Sequence, residues 1–418
     1  MKVAVVGGGS TYTPELVDGF ARLGSFVDEL VLVDPATDRL DVVGAFAHRI
    51  LARYGHPGRL SWTDDLDRGL DGADVVLIQL RVGGQAARIS DETFPLDCGC
   101  VGQETTGAGG LAKALRTVPV VLDIARRARE RANPDAWTVV FTNPVGIVTR
   151  ALLDDGHRAV GLCNVAIGLQ RKLAAMLDVP APDVVLDHVG LNHLTWERGA
   201  SVGGVDRLPE LLAKRGDELA DLVGLPLDVL EATGTLPSYY LRYFYCHDAV
   251  VAEQRDAPTR GARVAEIERE LLEMYRDPRL DRKPELLSQR GGAFYSEAAV
   301  GLLDSLVGGE QGAVHAVNVR NAGTLACLAD DAVVEVSCAV DSAGAAPLPT
   351  TPLDPAIAGL VAHVSAYEEL ALAAARGGGA ERVYRALLAH PLIGQADRAR
   401  GLADRLIAAN AEHLPWAR

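Results

Sequence analysis

Short apolar runs and longer amphipathic ones alternate along the first third of the chain. Residues 2–6 form a β-branched run that ends at Gly7-Gly8-Gly9. Leu16, Val17, Phe20 and Leu23 then recur at helical spacing. The Thr13-Pro14 pair before them predicts a helix with Thr13 as N-cap and Pro14 at its first position. Residues 29–34 give a second apolar run closed by the carboxylate of Asp34. Further strands are predicted over 75–80, 138–142 and 159–162, separated by stretches long enough for helices. Near-continuous apolar runs are what parallel strands buried on both faces require. The expected class is α/β, with a parallel-sheet domain over residues 1–160 and a mixed α+β domain over 161–418.

That order places the glycine turn at the carboxyl end of the first strand, where a helix N-terminus can receive a pyrophosphate. Gly7 and Gly9 match the first two positions of G-x-G-x-x-G, and Tyr12 takes the third. Asp34, at the end of the second strand, can bind a ribose hydroxyl pair and repels a 2′-phosphate, so NAD is expected over NADP. The alternative is a tight strand-to-helix turn with no ligand. Strand, helix and Asp34 together favour a Rossmann-like dinucleotide site.

Residues 81–119 are dense in glycine, charge and hydroxyls and read as a loop, with Asp91 and Glu92 taken as turn or cap residues. Thr142-Asn143-Pro144 ends another strand in a similar way. Cys163 and His193 follow two further apolar runs. Cysteine and histidine there suit a borderline divalent metal, and two protein ligands leave positions open for substrate. Their separation fits no closed zinc site, and a buried thiol with a core histidine is the competing reading.

Charge narrows the field. Over 418 residues the formal net charge is −15, which argues against a nucleic-acid or anionic-membrane partner. Any anionic ligand must be held by a few arginines within a repulsive field. The apolar stretch after Met1 is too short for a signal peptide, and no apolar run reaches a membrane span. The six cysteines form no CxxC pair or disulfide framework, so a reduced, cytoplasmic protein is expected.

Several segments together resemble glycoside hydrolase family 4. They are Val5 through Leu16, residues 81–88, 102–110, Thr142-Asn143-Pro144, Cys163-Asn164, Gly190-Leu191-Asn192-His193-Leu194 and Arg290-Gly291-Gly292-Ala293, with residues 382–394 similar to the family's C-terminal helix. The resemblance implies a lactate/malate-dehydrogenase-like fold and a glycosidase that depends on NAD and a divalent metal, usually Mn2+. It departs from the two-carboxylate mechanism of most glycosidases. In the family, hydride leaves sugar C3 for NAD, a base removes the acidified C2 proton, the leaving group is eliminated, water adds, and the hydride returns.

Carried onto this chain, the resemblance makes Cys163 and His193 the metal ligands and Tyr240 the base, with Tyr239 and Tyr243 as rivals. Gly7, Gly9, Ser10, Thr11, Asp34 and Asn143 would hold the cofactor. Glu104 is expected near sugar and metal, and Arg88, Asn143 and Arg290 at a sugar 6-phosphate, with Ser10 or Thr11 near by. Gly291-Gly292 would permit close backbone approach beside Arg290. Asn164 replaces the aspartate of α-specific relatives and, unable to donate a proton in that way, favours a β-linked substrate. The implied activity is that of a 6-phospho-β-glucosidase forming a homodimer or homotetramer. Its alternatives are the same chemistry on a non-phosphorylated or differently modified glycoside, a 2-hydroxy-acid dehydrogenase, or an NAD-binding sensor.

Two departures from the family, Ala166 and Cys98-Gly99-Cys100, lie beside site loops and are expected to tune the pocket. Residues 266–275 and 356–376 have helical spacing and are assigned to packing or subunit contact, not to the site. Residues 341–355 read as a surface connection, and Gly377-Gly378-Gly379 as a helix break.

Overall fold

The computed structural model describes every residue except Ser25, Gly292, Ala293, Glu310 and Arg418. Six parallel strands carry the first part: β1 (Lys2–Val6), β2 (Glu29–Val33), β3 (Arg59–Thr63), β4 (Val75–Ile78), β5 (Trp137–Val140) and β6 (Ala159–Leu162). They lie in the order β3-β2-β1-β4-β5-β6, because β1 pairs in parallel with both β2 and β4. In such doubly wound sheets ligands sit beyond the carboxyl ends, where the strand order reverses. Val3, Ala4, Val5, Leu32, Leu77 and Ile78 are fully buried, as two-sided cover by helices demands.

Three strands stop short of the apolar pattern. Asp34, Gln79-Leu80 and Phe141-Thr142 leave the ladder and line the space beyond it. β3 escapes the apolar pattern altogether, since Arg59-Leu60-Ser61-Trp62-Thr63 is a half-exposed edge strand that needs no apolar run.

The sheet continues past β6. A second sheet comes first in the chain, formed by β7 (Val184–Leu191), β8 (Leu194–Val202), β9 (Val205–Asp206) and β10 (Leu236–Pro237). Then β11 (Ala313–Arg320), β12 (Val333–Asp341) and β13 (Gly344–Pro347) extend the first sheet antiparallel from β6 to nine strands. β13 falls within 341–355, so that segment is partly sheet and not only a surface connection.

The first helix runs Thr13–Leu23 with Tyr12 at the N-cap position. Thr13 is therefore already helical and does not cap: its hydroxyl instead accepts from Gln79 Nε2 at 2.8 Å, tying the helix to the end of β4. The polar stretch 81–119 is mostly helix, over Gly84–Thr93 and from Gly107 within Gly107–Arg131. Most of its charges, Asp91, Glu92, Glu104, Lys113 and Arg116 among them, are buried in ion pairs, which is why polarity misreads it as loop. Asp91 pairs with Arg116 at 2.6 Å with both side chains about 1% exposed, so it is neither turn nor cap.

The helix predicted over 266–275 is Arg260–Tyr275, and that over 356–376 is Pro355–Gly377. The latter stops at Gly378 and Gly379, both at positive φ. It is long and apolar enough to cross a membrane by length and composition, yet Val361, Ala371 and Ala374 are fully buried within the fold. Residues 382–394 fall in a helix, Ala380–Leu388, and the turn after it.

Candidate active site

The carboxyl ends of the parallel strands open on a cleft of about 1380 Å³. Gly7, Gly9, Ser10 and Asp34 line it, as do Asn143, Asn164, Tyr240, Glu104, Arg88 and Arg290. Its lining carries as many cationic as anionic side chains, although the whole chain is at −15.

The cofactor candidates lie in the tight turn after β1. Gly7 has φ +91, and a Cβ there would stand 2.6 Å from the Gln79 carbonyl oxygen, so only glycine fits. Asp34 accepts from the Gly9 N–H at 3.0 Å and from the Ala36 N–H at 3.0 Å, pinning the glycine turn to the end of β2. Each carboxylate oxygen keeps a second acceptor position.

Cys163 follows β6 and is buried. Burial is the main effect pushing its thiol up, with the charge of Glu335 adding to it. The Val165 and Asn164 N–H groups and the Asn192 side chain donate to the sulphur and oppose the rise. His193 lies in the two-residue turn joining β7 to β8. Gly190 makes the bend before it possible, with φ +139 and a hypothetical Cβ only 2.1 Å from the Leu194 carbonyl.

The tautomer of His193 follows from its neighbours. Gln103 Oε1 accepts from the Thr106 N–H at 2.8 Å and from the Thr105 hydroxyl at 2.7 Å. The single Thr105 proton is thus spent, so at 2.7 Å the hydroxyl must accept from His193 Nδ1–H. Nε2 keeps its lone pair, the form a metal ligand needs. Burial pushes the ring down to about 4 against the pull of Glu335 and Glu104, so it is neutral at physiological pH.

Tyr240 stacks on His193 with ring centroids 3.7 Å apart. Burial, then Cys163, Tyr243 and Glu104, hold its phenol well above the usual value, with Arg88 opposing. Tyr239 is exposed and accepts from Arg242 at 2.7 Å. Tyr243 is buried, with its ring 6.1 Å from that of Tyr240. Among the three tyrosines only Tyr240 is stacked on His193.

Glu104 sits among three cations. Arg81 binds it directly, Lys113 Nζ lies 2.7 Å and Arg88 3.3 Å away. Burial alone would raise its carboxyl, but Lys113, Arg81 and Arg88 outweigh it and hold the group well below the usual range. Lys113 is lowered to about 8, first by burial and then by Arg81.

Arg290 donates to Thr11 Oγ1 at 2.9 Å and to Glu268 at 2.9 Å, with Ser10 Oγ at 3.4 Å. It is both an ion-pair partner and part of the cleft wall. Gly292 and Ala293, expected beside it, lie outside the described residues.

Some assignments change. Glu92 lines the cleft, bonding Arg88 at 2.8 Å, and it accepts the Gly261 N–H at 2.6 Å in the first turn of the Arg260–Tyr275 helix, so it caps that helix from outside while also forming part of the site. Glu268 places the Arg260–Tyr275 helix in the site, against the assignment of residues 266–275 to packing or subunit contact. Arg260 also lines the cleft, donating to the carbonyls of Gln289 and Arg290 and forming no ion pair among the described residues. No motif marked either residue; the only signal was a charged face on an amphipathic helix. Cys163 and His193 themselves sit behind the wall. Ala166, Cys98 and Cys100 do not line the cleft either, Cys100 turning instead toward the Leu392 carbonyl.

Comparisons with known proteins identify the family. The sequence model described as family 4 glycosyl hydrolase matches residues 2–179, and that of the family 4 glycosyl hydrolase C-terminal domain matches residues 188–393. The chain belongs to glycosyl hydrolase family 4. It is 37% identical to "Probable 6-phospho-beta-glucosidase" of Bacillus subtilis (strain 168), over 99% of this chain and 97% of that one. The 6-phospho-beta glucosidase from Thermotoga maritima, solved with manganese, NAD+ and glucose-6-phosphate, has TM-score 0.93 at 33% identity and covers 99% of each chain. A lactate dehydrogenase from a deep-sea metagenome library has TM-score 0.56 at 14% identity over 90% of this chain and 98% of that one, which marks the shared α/β fold alone.

The residues present fit the cofactors of the family. Among the described residues no group of three or more His, Cys, Asp or Glu could hold a metal. Cys163 and His193 offer two ligands, one a sulphur met by three donors, the other a neutral ring with Nε2 open. Two protein ligands leave coordination positions for a substrate. Asn143 Oδ1 is buried without a hydrogen-bond partner among the described residues, an acceptor available to a ligand in the cleft.

Proposed function

We propose that this chain is a 6-phospho-β-glucosidase, releasing glucose 6-phosphate by C3 oxidation, C2 deprotonation, elimination, water addition and re-reduction. The observation that carries the reading is one cleft holding the Asp34-pinned glycine turn, Asn164, Tyr240, Arg88 and Arg290 together. In this reading residues 1–160 hold the dinucleotide and 161–418 the metal and sugar. Bound NAD+ would supply the hydride acceptor, and a divalent cation such as Mn2+, held by Cys163 and His193, the Lewis acid.

The chain's own side chains do the rest. Tyr240 takes the C2 proton at its phenol oxygen, which requires a positive charge near it to offset its buried setting. Glu104, held ionised by three cations, orients the sugar as an acceptor of its hydroxyls. Asn164 orients the leaving-group side without donating an acid proton, which suits an equatorial, β-linked aglycone. Arg88, Arg290 and Asn143 hold the 6-phosphate, and an Arg fork matches its oxygens. The Bacillus subtilis and Thermotoga maritima relatives, named for this activity, support the substrate class.

A second reading has its own observation. Arg88 and Arg290 already carry the carboxylates Glu92, Glu104 and Glu268, so neither arginine needs a phosphate for a counter-charge when a non-phosphorylated glycoside is bound. Aryl β-glucosides with and without a 6-phosphate, offered with NAD+ and Mn2+ in deuterated water, separate the two. Aglycone release with deuterium at C2, no net NADH and dependence on the phosphate supports the first. Indifference to the phosphate selects the second, and net NADH accumulation rejects the hydrolase. The same reading includes a cytoplasmic homodimer or homotetramer, with all six cysteines unpaired as thiols in keeping with a reduced setting; light scattering measures the assembly.

A further inference from the structure

Behind Cys163 and His193 lies a buried polar cluster that the reaction itself does not use. His188 on β7 is clamped between two carboxylates, with Nδ1 2.7 Å from Glu197 on β8 and Nε2 3.1 Å from Glu335 on β12. All three side chains are at most 1% exposed. The other oxygen of Glu335 accepts from Asn192 Nδ2 at 2.8 Å and from Asn318 Nδ2 at 2.7 Å. Asn192 in turn donates to the Cys163 sulphur, and it immediately precedes His193 in the turn. One amide therefore joins Glu335 to the Cys163 sulphur, one residue before His193 in the chain.

The cluster is costly as packing alone. A desolvated ion group is no better for stability than an apolar core of the same shape, so its presence asks for a second role. Its charge count supplies one. With both ring nitrogens on carboxylates His188 donates twice and is an imidazolium. Burial would lower its pKa, but Glu197 and Glu335 outweigh that and push it up to about 10. One imidazolium between two carboxylates leaves one unit of negative charge buried behind the ligand pair. Glu368, raised by burial to about 8 with Arg150 opposing, keeps its proton at neutral pH and adds no charge.

We infer that Glu335, held by His188, is a positioning residue for the metal: it fixes Asn192 against the Cys163 sulphur and supplies the fixed negative charge that a dication needs behind Cys163 and His193. This rests on the proposed assignment of those two residues as the metal ligands. Outer partners of metal ligands characteristically set affinity by about 10- to 100-fold.

The test is titration of Mn2+ into the full chain, following free Mn2+ by electron paramagnetic resonance, with NAD+ affinity measured in parallel. Glu335→Gln should weaken Mn2+ binding by about 10- to 100-fold while NAD+ binds as in the unaltered chain, and Glu335→Asp should recover part of the loss. Asn192→Ala, whose side chain is only half-buried, should weaken Mn2+ similarly and shift the sulphur-to-metal charge-transfer band of the Co2+-loaded chain. It decides the matter if Glu335→Gln does not fold. Unchanged Mn2+ affinity in the folded variants overturns the inference, and so does a parallel loss of NAD+ binding, which marks a role in folding alone. Failure of the unaltered chain to bind Mn2+ counts against the ligand assignment itself, and the inference falls with it.

Discussion

His193 and Tyr240 lie face to face, their ring planes 6° from parallel. The stack joins the candidate base to a candidate metal ligand, so replacing Tyr240 by Phe removes one oxygen and keeps the contact. Tyr240→Phe should lower kcat by about 10²- to 10⁴-fold, the range for a lost general base. Mn2+ and NAD+ binding should be unchanged. Exchange of the C2 proton of glucose 6-phosphate with solvent, followed by NMR, reads the step directly. Exchange at the unaltered rate would transfer the role to Tyr239 or Tyr243.

Arg290 reaches Thr11, Ser10 and Glu268 from one guanidinium. A phosphate would add to, and not replace, the Glu268 contact. Hydrogen bonds to a charged partner are worth about 1.5–3 kcal/mol. Arg290→Ala and Arg88→Ala should thus each raise KM for a 6-phosphorylated β-glucoside by about 10- to 100-fold, with little change for the plain glucoside. Steady-state kinetics on the matched pair measures this. An equal rise for both substrates would make these arginines scaffold for Glu92 and Glu268 only.

Acid–base linkage gives a stability prediction with a definite sign. His188 is raised from 6.5 to about 10, so its contribution is complete below pH 6.5 and is lost as pH climbs toward 10. Glu368 is raised from 4.5 to about 8, so the native chain holds a proton that the unfolded chain has released, and stability again falls as pH rises between those values. Lys113 is lowered from 10.5 to about 8 and acts in the opposite sense above 8. His193, His315 and His390, lowered by burial to about 4, 4 and 3, stay neutral in the native chain where the unfolded chain still binds protons, and oppose these two until about pH 7. From about pH 7 to 8 His188 and Glu368 dominate, each at up to about 1.4 kcal/mol per pH unit. Chemical denaturation across that window should show falling stability. Glu368→Gln should remove about half of the slope; stability rising through the window would refute the account.

The parts legible in the sequence share a property: their signal is local. β1, the glycine turn and Asp34 are read from contiguous apolar residues and one carboxylate, because a strand buried on both faces can be nothing but apolar. Cys163 and His193 were legible as candidate ligands from their place after two apolar runs, but a buried thiol and a core histidine competed equally until the family resemblance favoured the ligand reading, since no spacing links residues that follow β6 and β7. Glu268 and Arg260 were invisible because a charged residue on an amphipathic helix reads as solvated until the fold shows what it faces. The stretch 81–119 failed for the same reason. Asp91, Glu92, Glu104, Lys113 and Arg116 look like loop composition and are buried because their partners bury with them.

Asp34 has two duties that one substitution can separate. Its carboxylate accepts the Gly9 and Ala36 N–H groups, which holds the turn, and its charge is expected to select NAD+ against a 2′-phosphate. Asparagine can keep an acceptor for the Gly9 N–H but carries no charge. Arg39 donates to the Gly9 carbonyl at 3.2 Å, which puts a guanidinium beside the same turn. With the repulsion gone and that cation near by, Asp34→Asn should cut the preference for NAD+ over NADP+ by about tenfold or more, and thermal stability should fall only by the one N–H bond that the amide nitrogen cannot accept. Calorimetric titration with each dinucleotide gives the ratio. If the ratio holds while stability drops, Asp34 is a turn residue and the discrimination lies elsewhere in the cleft.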